Sequence, residues 1–264
     1  MSAIYKVFKE EKLAKEIRPK CLKYLKKSLL LSNIKKINVK DAYSKKKFAK
    51  KILNLNHNGA LLPKFENQKE FFSIFEKFKS ILDKKISNNS LIHFPIILRL
   101  NNTLADPNKK YSSSYPHLDS WAGQPENSKI LSFNVLTGID SPTLEVLTTK
   151  NKKKISKNIK KQYKNIINSK DIVSLYKTKQ ADLSILDAGT LHRTSKGKSF
   201  RITLECRFIE KGKLKKSDPK NLKKYYFRRK TFFKINQKNT LISNKFGEIA
   251  KSRFGVDFKF RHKF

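Results

Sequence analysis

Two cysteines, Cys21 and Cys206, are all that this chain of 264 residues holds. That is too few for a disulfide framework or a cysteine-based zinc site, and it fits a reducing compartment. Cys206 falls on the apolar face of an expected strand, the place of a buried thiol. No apolar run approaches the roughly eighteen residues of a membrane-spanning helix. The opening stretch, MSAIYKVFKEEKLAKEIRPK, is charged throughout and lacks the apolar core of a secretory signal, so a cytoplasmic location is expected. A strand–helix rhythm with a glycine-rich phosphate loop is missing, which argues against a doubly wound nucleotide-binding fold. Acid is scarce: 21 Asp and Glu stand against 61 Lys and Arg, a formal net charge of +40. Such an excess attracts anionic partners over long range. Lysine runs such as residues 45–47 and 152–154 are scattered and form no single patch. Most of the charge therefore belongs to a chain rich in Lys, Asn, Ile and Phe. Acidic small molecules are still the partners it favours.

Histidine is sparse as well, with five in the chain. His57 sits in an Asn-rich loop and His262 in a basic tail, both ordinary solvent positions. His93 lies within LIHFPIIL and is expected to pack. His117 and His192 differ, because each comes with chemistry around it. The stretch SSYPHLDSW places His117 two residues before Asp119. In a strand, residues i and i+2 share a face, so an imidazole and a carboxylate about 7 Å apart along the backbone point one way while Leu118 packs on the other. His192 adds a second imidazole from LSILDAGTLHRT. Two imidazoles and one carboxylate on one face of a metal suit non-haem Fe(II) and leave positions open opposite them. Two of those positions accept a 2-oxo acid through its carboxylate and keto oxygens, and the third accepts O₂.

Residues 200–208 alternate strictly. Phe200, Ile202, Leu204, Cys206 and Phe208 fall on one face, and Arg201, Thr203, Glu205 and Arg207 on the other. Period two marks a strand with one apolar and one polar side. Inside a barrel, the polar side is the cavity. Arg201 follows His192 by nine residues, a spacing that fits one tight connection between neighbouring antiparallel strands. Its planar fork suits the far carboxylate of an acidic cosubstrate. Arg207, on the same face, is its rival. Thr203 adds a hydroxyl, and Asn134, alternating with Phe133 and Val135, is a further candidate contact.

These residues together resemble the Fe(II)/2-oxoglutarate-dependent dioxygenases. The likeness rests on His117-x-Asp119, a distal His192 about seventy residues on, and Arg201 beyond it. ADLSILDAGTLHRTSKGKSFRITLECRF is similar to the barrel-closing strands of the phytanoyl-CoA dioxygenase-like branch. HLDSWAGQP resembles streptomycin-biosynthesis-type oxygenases of carbohydrate clusters. The likeness spans residues 91–210, with Ala181 standing where the family usually has Gly. It implies a double-stranded β-helix of jelly-roll type, mainly β with flanking helices. It also implies Fe(II), 2-oxoglutarate and O₂ as cofactor and cosubstrates. The implied reaction oxidises a C–H bond of a small molecule, with a carbohydrate or anionic sugar derivative as the substrate class.

The expected layout is one domain in three stretches. Residues 1–90 are a mainly helical region with Pro19 breaking the first helix or starting the second. Residues 67–86 form an amphipathic helix whose Phe71, Ile74, Phe75, Phe78, Ile81 and Leu82 recur at three and four. Residues 91–210 are the barrel, opening with a strand over Leu91–Leu100 in which Pro95 signals an edge or bulge. Residues 101–114 are a polar loop, and 151–170 a basic helical excursion placed as a lid. Residues 211–264 are a basic, aromatic extension that packs on the barrel or on another subunit. Trp121 and Gln124, just after the ligand pair, are candidate substrate contacts. Two other classes stay open: a cupin-like isomerase or binding protein on the same fold, and a basic nucleic-acid-binding protein using residues 211–264.

Overall fold

The structure is a computed structural model that describes residues 5–52, 55, 59–61, 68–93, 96–100, 114–122, 124–149, 171–195, 197–215, 226–229, 248–249 and 258–259. Its first element departs from the helical expectation. Tyr5–Lys9 is a strand, β1, paired antiparallel with residues 182–186 so that Lys9 stands opposite Asp182. Long-range pairing here overrides a local pattern that favours helix. Helix α1 follows over Glu11–Leu31 and carries Pro19 inside it. Pro19 therefore neither ends nor begins a helix; the helix continues through it without the hydrogen bond its missing N–H would make. Ala14, Ile17, Cys21, Tyr24, Leu25 and Leu29 are buried along one side. Short helices α2 (Val39–Ser44) and α3 (Lys46–Ala49) lead to a two-residue strand, β2 (Ala60–Leu61). Helix α4 (Gln68–Lys85) matches the expected amphipathic segment. Its Phe71, Ile74, Phe75, Phe78, Ile81 and Leu82 are all buried, and Phe78 stacks on Phe133 with ring centroids 6.4 Å apart. Burying a phenylalanine is worth about 1.5–3 kcal/mol, so this aromatic stripe is core.

The expected strand over Leu91–Leu100 is two strands, β3 (Ser90–His93) and β4 (Ile97–Leu100), and Pro95 lies outside the described residues. There follow β5 (Lys129–Thr137), β6 (Leu144–Thr149), β7 (Ile172–Lys177), β8 (Asp182–Asp187), β9 (His192–Thr194), β10 (Arg201–Glu210) and β11 (Tyr226–Arg228). They build two antiparallel sheets. The larger runs β1-β8-β5-β10-β3-β11, with β4 also on β10 and β2 on β4. The smaller runs β7-β6-β9, and His117 extends it through an isolated bridge to His192. The chain passes from the larger sheet to the smaller between β5 and β6, returns between β7 and β8, and crosses again on either side of β9. That alternation is a jelly roll, and the fold is mainly β with flanking helices.

Each face of the larger sheet has its own partner. Leu131, Phe133, Val135, Leu183, Ile202, Leu204 and Cys206 share one core with α1 and α4. Strand alternation turns the residues between them toward the smaller sheet. At one end these are apolar: Ile130 and Leu186 meet Val146 of the smaller sheet. The rest of this inner face is polar and buried, with Ser132 and Asn134 on β5, Ser184 on β8, and Arg201, Thr203 and Glu205 on β10. The helices thus cover one side of the sheet, and a polar chamber lies on the other.

Two turns close the barrel at the Arg201 end. Lys198 and Ser199 both donate backbone N–H groups to the Asp140 carbonyl, at 2.8 and 3.1 Å. The loop comes so close that a Cβ on Gly197 would stand 2.4 Å from the Pro142 nitrogen, which explains a glycine there. Ala181, where the resemblance leads us to expect glycine, adopts a left-handed backbone with φ 64°. Beside it, Asp182 binds Tyr176 Oη at 2.5 Å, the Lys179 N–H at 2.6 Å and Lys9 Nζ at 3.0 Å. That network ties β1 and the smaller sheet to β8. Among the described residues, no helix is long and apolar enough to cross a membrane.

Candidate metal centre

Residues 117–119 do not form the single extended strand expected of them. His117 makes one antiparallel bridge with His192, with N–H to O distances of 2.8 and 3.0 Å, and Asp119 then opens a 3-10 turn over Asp119–Ala122. Leu118 packs with Leu147 and Leu191 beneath the turn. The bridge holds the two imidazoles with ring centroids 4.3 Å apart, and the turn brings the carboxylate up to them. One ligand atom from each of His117, Asp119 and His192 lies within 4.8 Å of the others, and all three residues are buried. The approach comes from a turn and a cross-strand bridge, and not from i, i+2 alternation.

The tautomers are set by the backbone. His117 Nδ1 donates to the Tyr115 carbonyl at 2.7 Å, and His192 Nδ1 to the Thr190 carbonyl at 2.8 Å. A carbonyl oxygen can only accept, so the proton sits on Nδ1 and the Nε2 lone pair is left for a metal. Burial, and then the neighbouring His192, push the His117 imidazolium down to about 3, against the pull of Asp119. Burial alone would raise the Asp119 carboxyl, but the Arg207 guanidinium and then His192 hold it well below the usual carboxylate range. Near neutral pH the cluster therefore presents a neutral imidazole at His117 and an ionised carboxylate, the forms a metal requires. The donor set of two nitrogens and one carboxylate oxygen fits a divalent first-row ion with open positions. It is the single cluster of this kind among the described residues.

Arg207, the rival for anchoring a cosubstrate, is already engaged. Its Nη1 donates to Asp119 Oδ2. Asp119 Oδ1 is the oxygen turned toward His192, 3.8 Å from Nε2. Arg201 is in the opposite condition. It is 2% exposed, and its Nε has no hydrogen-bond partner among the described residues. Burial pushes its guanidinium down to about 10, with Glu205 opposing the shift. Thr203 Oγ1 and Asn134 Oδ1 also lack partners among the described residues, and the two residues stand opposite each other in the β10–β5 register. Asn134 Nδ2 donates to the Lys179 carbonyl at 3.0 Å.

β9 and β10 are not hydrogen-bonded neighbours, as the nine-residue spacing had implied; they lie in different sheets. The connection crosses the barrel, and Arg201 projects from the opposite wall. Six residues of strand, about 20 Å, separate Arg201 from Arg207, so the two arginines mark opposite ends of the chamber. Arg201 interacts electrostatically with Glu205, which lies four residues nearer the metal-competent cluster along the same strand.

Gln124 donates its backbone N–H to the Asp119 carbonyl at 3.3 Å, and its Oε1 is buried without a partner among the described residues. Trp121 lies in the 3-10 turn, but its side chain falls outside the described residues, as do residues 101–113, the expected lid at 151–170, His57 and His262. His93 is buried as expected, with its ring edge against Tyr226 at 5.0 Å.

The chain's alternation placed Glu205 on the polar face, but three residues near the chamber gave no usable signal. Arg99 faces it because β4 pairs with β10, and it binds Glu205 Oε2 at 2.8 Å. Tyr226 reaches the Arg207 end because β11 pairs with β3, and Ser128 comes up beside Tyr226. Neither approach is local in sequence.

No protein-family model matches the chain, and no curated protein matches it. Solved structures with a similar course include EvdO2 from Micromonospora carbonacea var. aurantiaca, 9% identical with a TM-score of 0.45 over 79% of this chain and 87% of that one. The non-heme alpha ketoglutarate dependent carbocyclase SnoK is 9% identical with a TM-score of 0.41 over 78% and 80%. The non-heme monooxygenase ThoJ in its nickel complex is 11% identical with a TM-score of 0.38 over 76% and 70%. Likenesses at this level bear on neither substrate nor reaction.

Proposed function

We propose that this chain is an Fe(II)- and 2-oxoglutarate-dependent dioxygenase that oxidises a C–H bond of a small substrate. The observation that carries the reading is a pairing across one chamber. At one end stand three convergent donors, His117, Asp119 and His192, within 4.8 Å. At the other stands a buried guanidinium, Arg201, whose Nε lacks a partner among the described residues. A metal satisfies the first, and the far carboxylate of a dicarboxylate satisfies the second. With Fe(II), 2-oxoglutarate and O₂ bound, the centre supplies the oxidising power for C–H hydroxylation, with succinate and CO₂ as co-products.

The chain's own part is to bind, orient and protect. His117 and His192 present Nε2, fixed by their backbone hydrogen bonds. Asp119 presents Oδ1. Arg201 takes the distal carboxylate, the Thr203 hydroxyl donates to it, and Asn134 closes the same patch. The apolar packing of Leu118, Leu147 and Leu191 excludes water from behind the cluster. Gln124 and Trp121, which follow the ligand pair in the chain, are the proposed substrate contacts. The likeness of HLDSWAGQP to carbohydrate-cluster oxygenases, together with the +40 net charge, supports a sugar derivative bearing acidic or phosphate groups.

The deciding experiment is anaerobic titration of the Fe(II)-loaded protein with 2-oxoglutarate. A visible charge-transfer band that saturates with 2-oxoglutarate is expected. Iron binding without that band would overturn the cosubstrate assignment.

A further inference from the structure

The structure assigns to Arg207 a role toward the metal centre: it occupies one oxygen of Asp119 and so leaves a single oxygen for coordination. This rests on the metal-centre reading above. Asp119 has two carboxylate oxygens, and the geometry divides them. Oδ2 accepts from Arg207 Nη1, while Oδ1 lies 3.8 Å from His192 Nε2 on the side where the donor atoms meet. A free carboxylate readily binds a metal through both oxygens. Doing so here would fill a position that a 2-oxo acid needs. A guanidinium on Oδ2 removes that option.

Arg207 is well placed for the task. It sits on β10, in the larger sheet, whereas His117 and His192 belong to the smaller one. Its strand is held by β5 on one side and β3 on the other, with Arg207 opposite Ile130 and its neighbour Phe208 opposite both Lys129 and Ile92. Asp119 starts a short turn outside the sheet, so a strand-held guanidinium fixes which of its oxygens faces the histidines. Glu205 and Tyr226 add their fields to that of Asp119 around the Arg207 guanidinium. Arg207 is thus a positioning residue, acting through Asp119 and not on substrate.

The test uses Co(II), whose visible d–d absorption weakens as its coordination number rises. In Arg207→Met, Asp119 is released to bind through both oxygens and a nearby positive charge is gone. Co(II) affinity is expected to stay level or rise, the d–d absorption to weaken, and the affinity of the Co(II) protein for 2-oxoglutarate to fall at least tenfold. Arg207→Gln keeps an N–H donor without the charge. Its Co(II) affinity should rise while its spectrum stays that of the unaltered protein. An unchanged spectrum and unchanged 2-oxoglutarate affinity in Arg207→Met would overturn the role. If that variant does not fold, an unchanged spectrum together with unchanged 2-oxoglutarate affinity in Arg207→Ala overturns it instead. Absence of Co(II) binding by the unaltered protein would remove the metal centre itself, and this role with it. Normal Co(II) binding with no response to 2-oxoglutarate strikes the cosubstrate reading alone, and the spectral comparison between variants still decides the role of Arg207.

Discussion

The two ends of the chamber are built on opposite principles. At the metal end the groups are held by the protein itself. Both Nδ1 atoms donate to carbonyls, and Asp119 meets Arg207. At the Arg201 end, atoms of Arg201, Thr203 and Asn134 are buried without partners among the described residues. Leaving a buried polar group unsatisfied costs about 1–3 kcal/mol, and the protein tolerates several together. One end is held by contacts already made, and the other keeps three buried polar atoms without partners among the described residues; on the function proposed above, the second end is where a cosubstrate carboxylate would bind.

The largest effects should come from breaking the metal end. His117→Ala removes a donor and should reduce Fe(II) or Co(II) affinity by more than about 100-fold, beyond the 10–100-fold typical of a supporting partner. Equilibrium titration checks this, with circular dichroism to confirm the fold. Asp119→Ala should abolish metal binding too, and it should also destabilise the apo protein. It leaves Arg207 as a half-buried charge without its partner, a loss of about 1–3 kcal/mol measurable by urea unfolding. Asp119→Ala unfolding at the same urea concentration as the parent would mean that the pair is not formed in solution.

Next comes the Arg201 end. Arg201→Met should weaken 2-oxoglutarate about 10- to 100-fold, the worth of a charge-assisted pair, while leaving metal affinity unchanged. The apo protein should be no less stable, because a buried, unsatisfied cation has been removed. Equal 2-oxoglutarate affinity would move the anchor to Arg99. A smaller change is expected from Thr203→Val: 2-oxoglutarate weaker by about threefold to tenfold, in keeping with one hydroxyl hydrogen bond, and apo stability level or slightly higher. If stability fell instead, Thr203 would have a partner in the folded chain and the comparison would fail there.

The metal end also shows in pH dependence. His117 has a folded value of about 3 against an ordinary 6.5, so its neutral form is favoured by folding. That contribution is complete above 6.5 and is lost as pH falls from 6.5 toward 3, at up to about 1.4 kcal/mol per pH unit for one proton. Urea unfolding of the apo protein across this range should show stability declining with acid. In His117→Ala that part of the decline should disappear.

Much of this arrangement was legible in advance where its signal was local. The alternation over residues 200–208 separated the chamber face of β10 from its core face correctly, down to the buried thiol of Cys206. The period of α4 likewise picked out its buried stripe. Expectations failed where distant pairing took over. β1 is a strand because β8 is there to receive it. Pro19 stays within α1, whose buried side packs into the shared core. Asp119 reaches the histidines through a turn, a shape that a His-x-Asp spacing does not distinguish from a strand.

The choice of donors, two imidazoles and a carboxylate with an arginine downstream, was determined by the sequence alone, because residue chemistry does not depend on folding. So were the period-two and period-3.6 faces, since strand and helix geometry follow from local sterics. Which arginine is free and which is taken was decided only by the tertiary structure. Arg201 and Arg207 share one face of one strand and differ in what stands across from them. Asp119 arrives opposite Arg207 from 88 residues away, and nothing among the described residues arrives to satisfy Arg201 Nε.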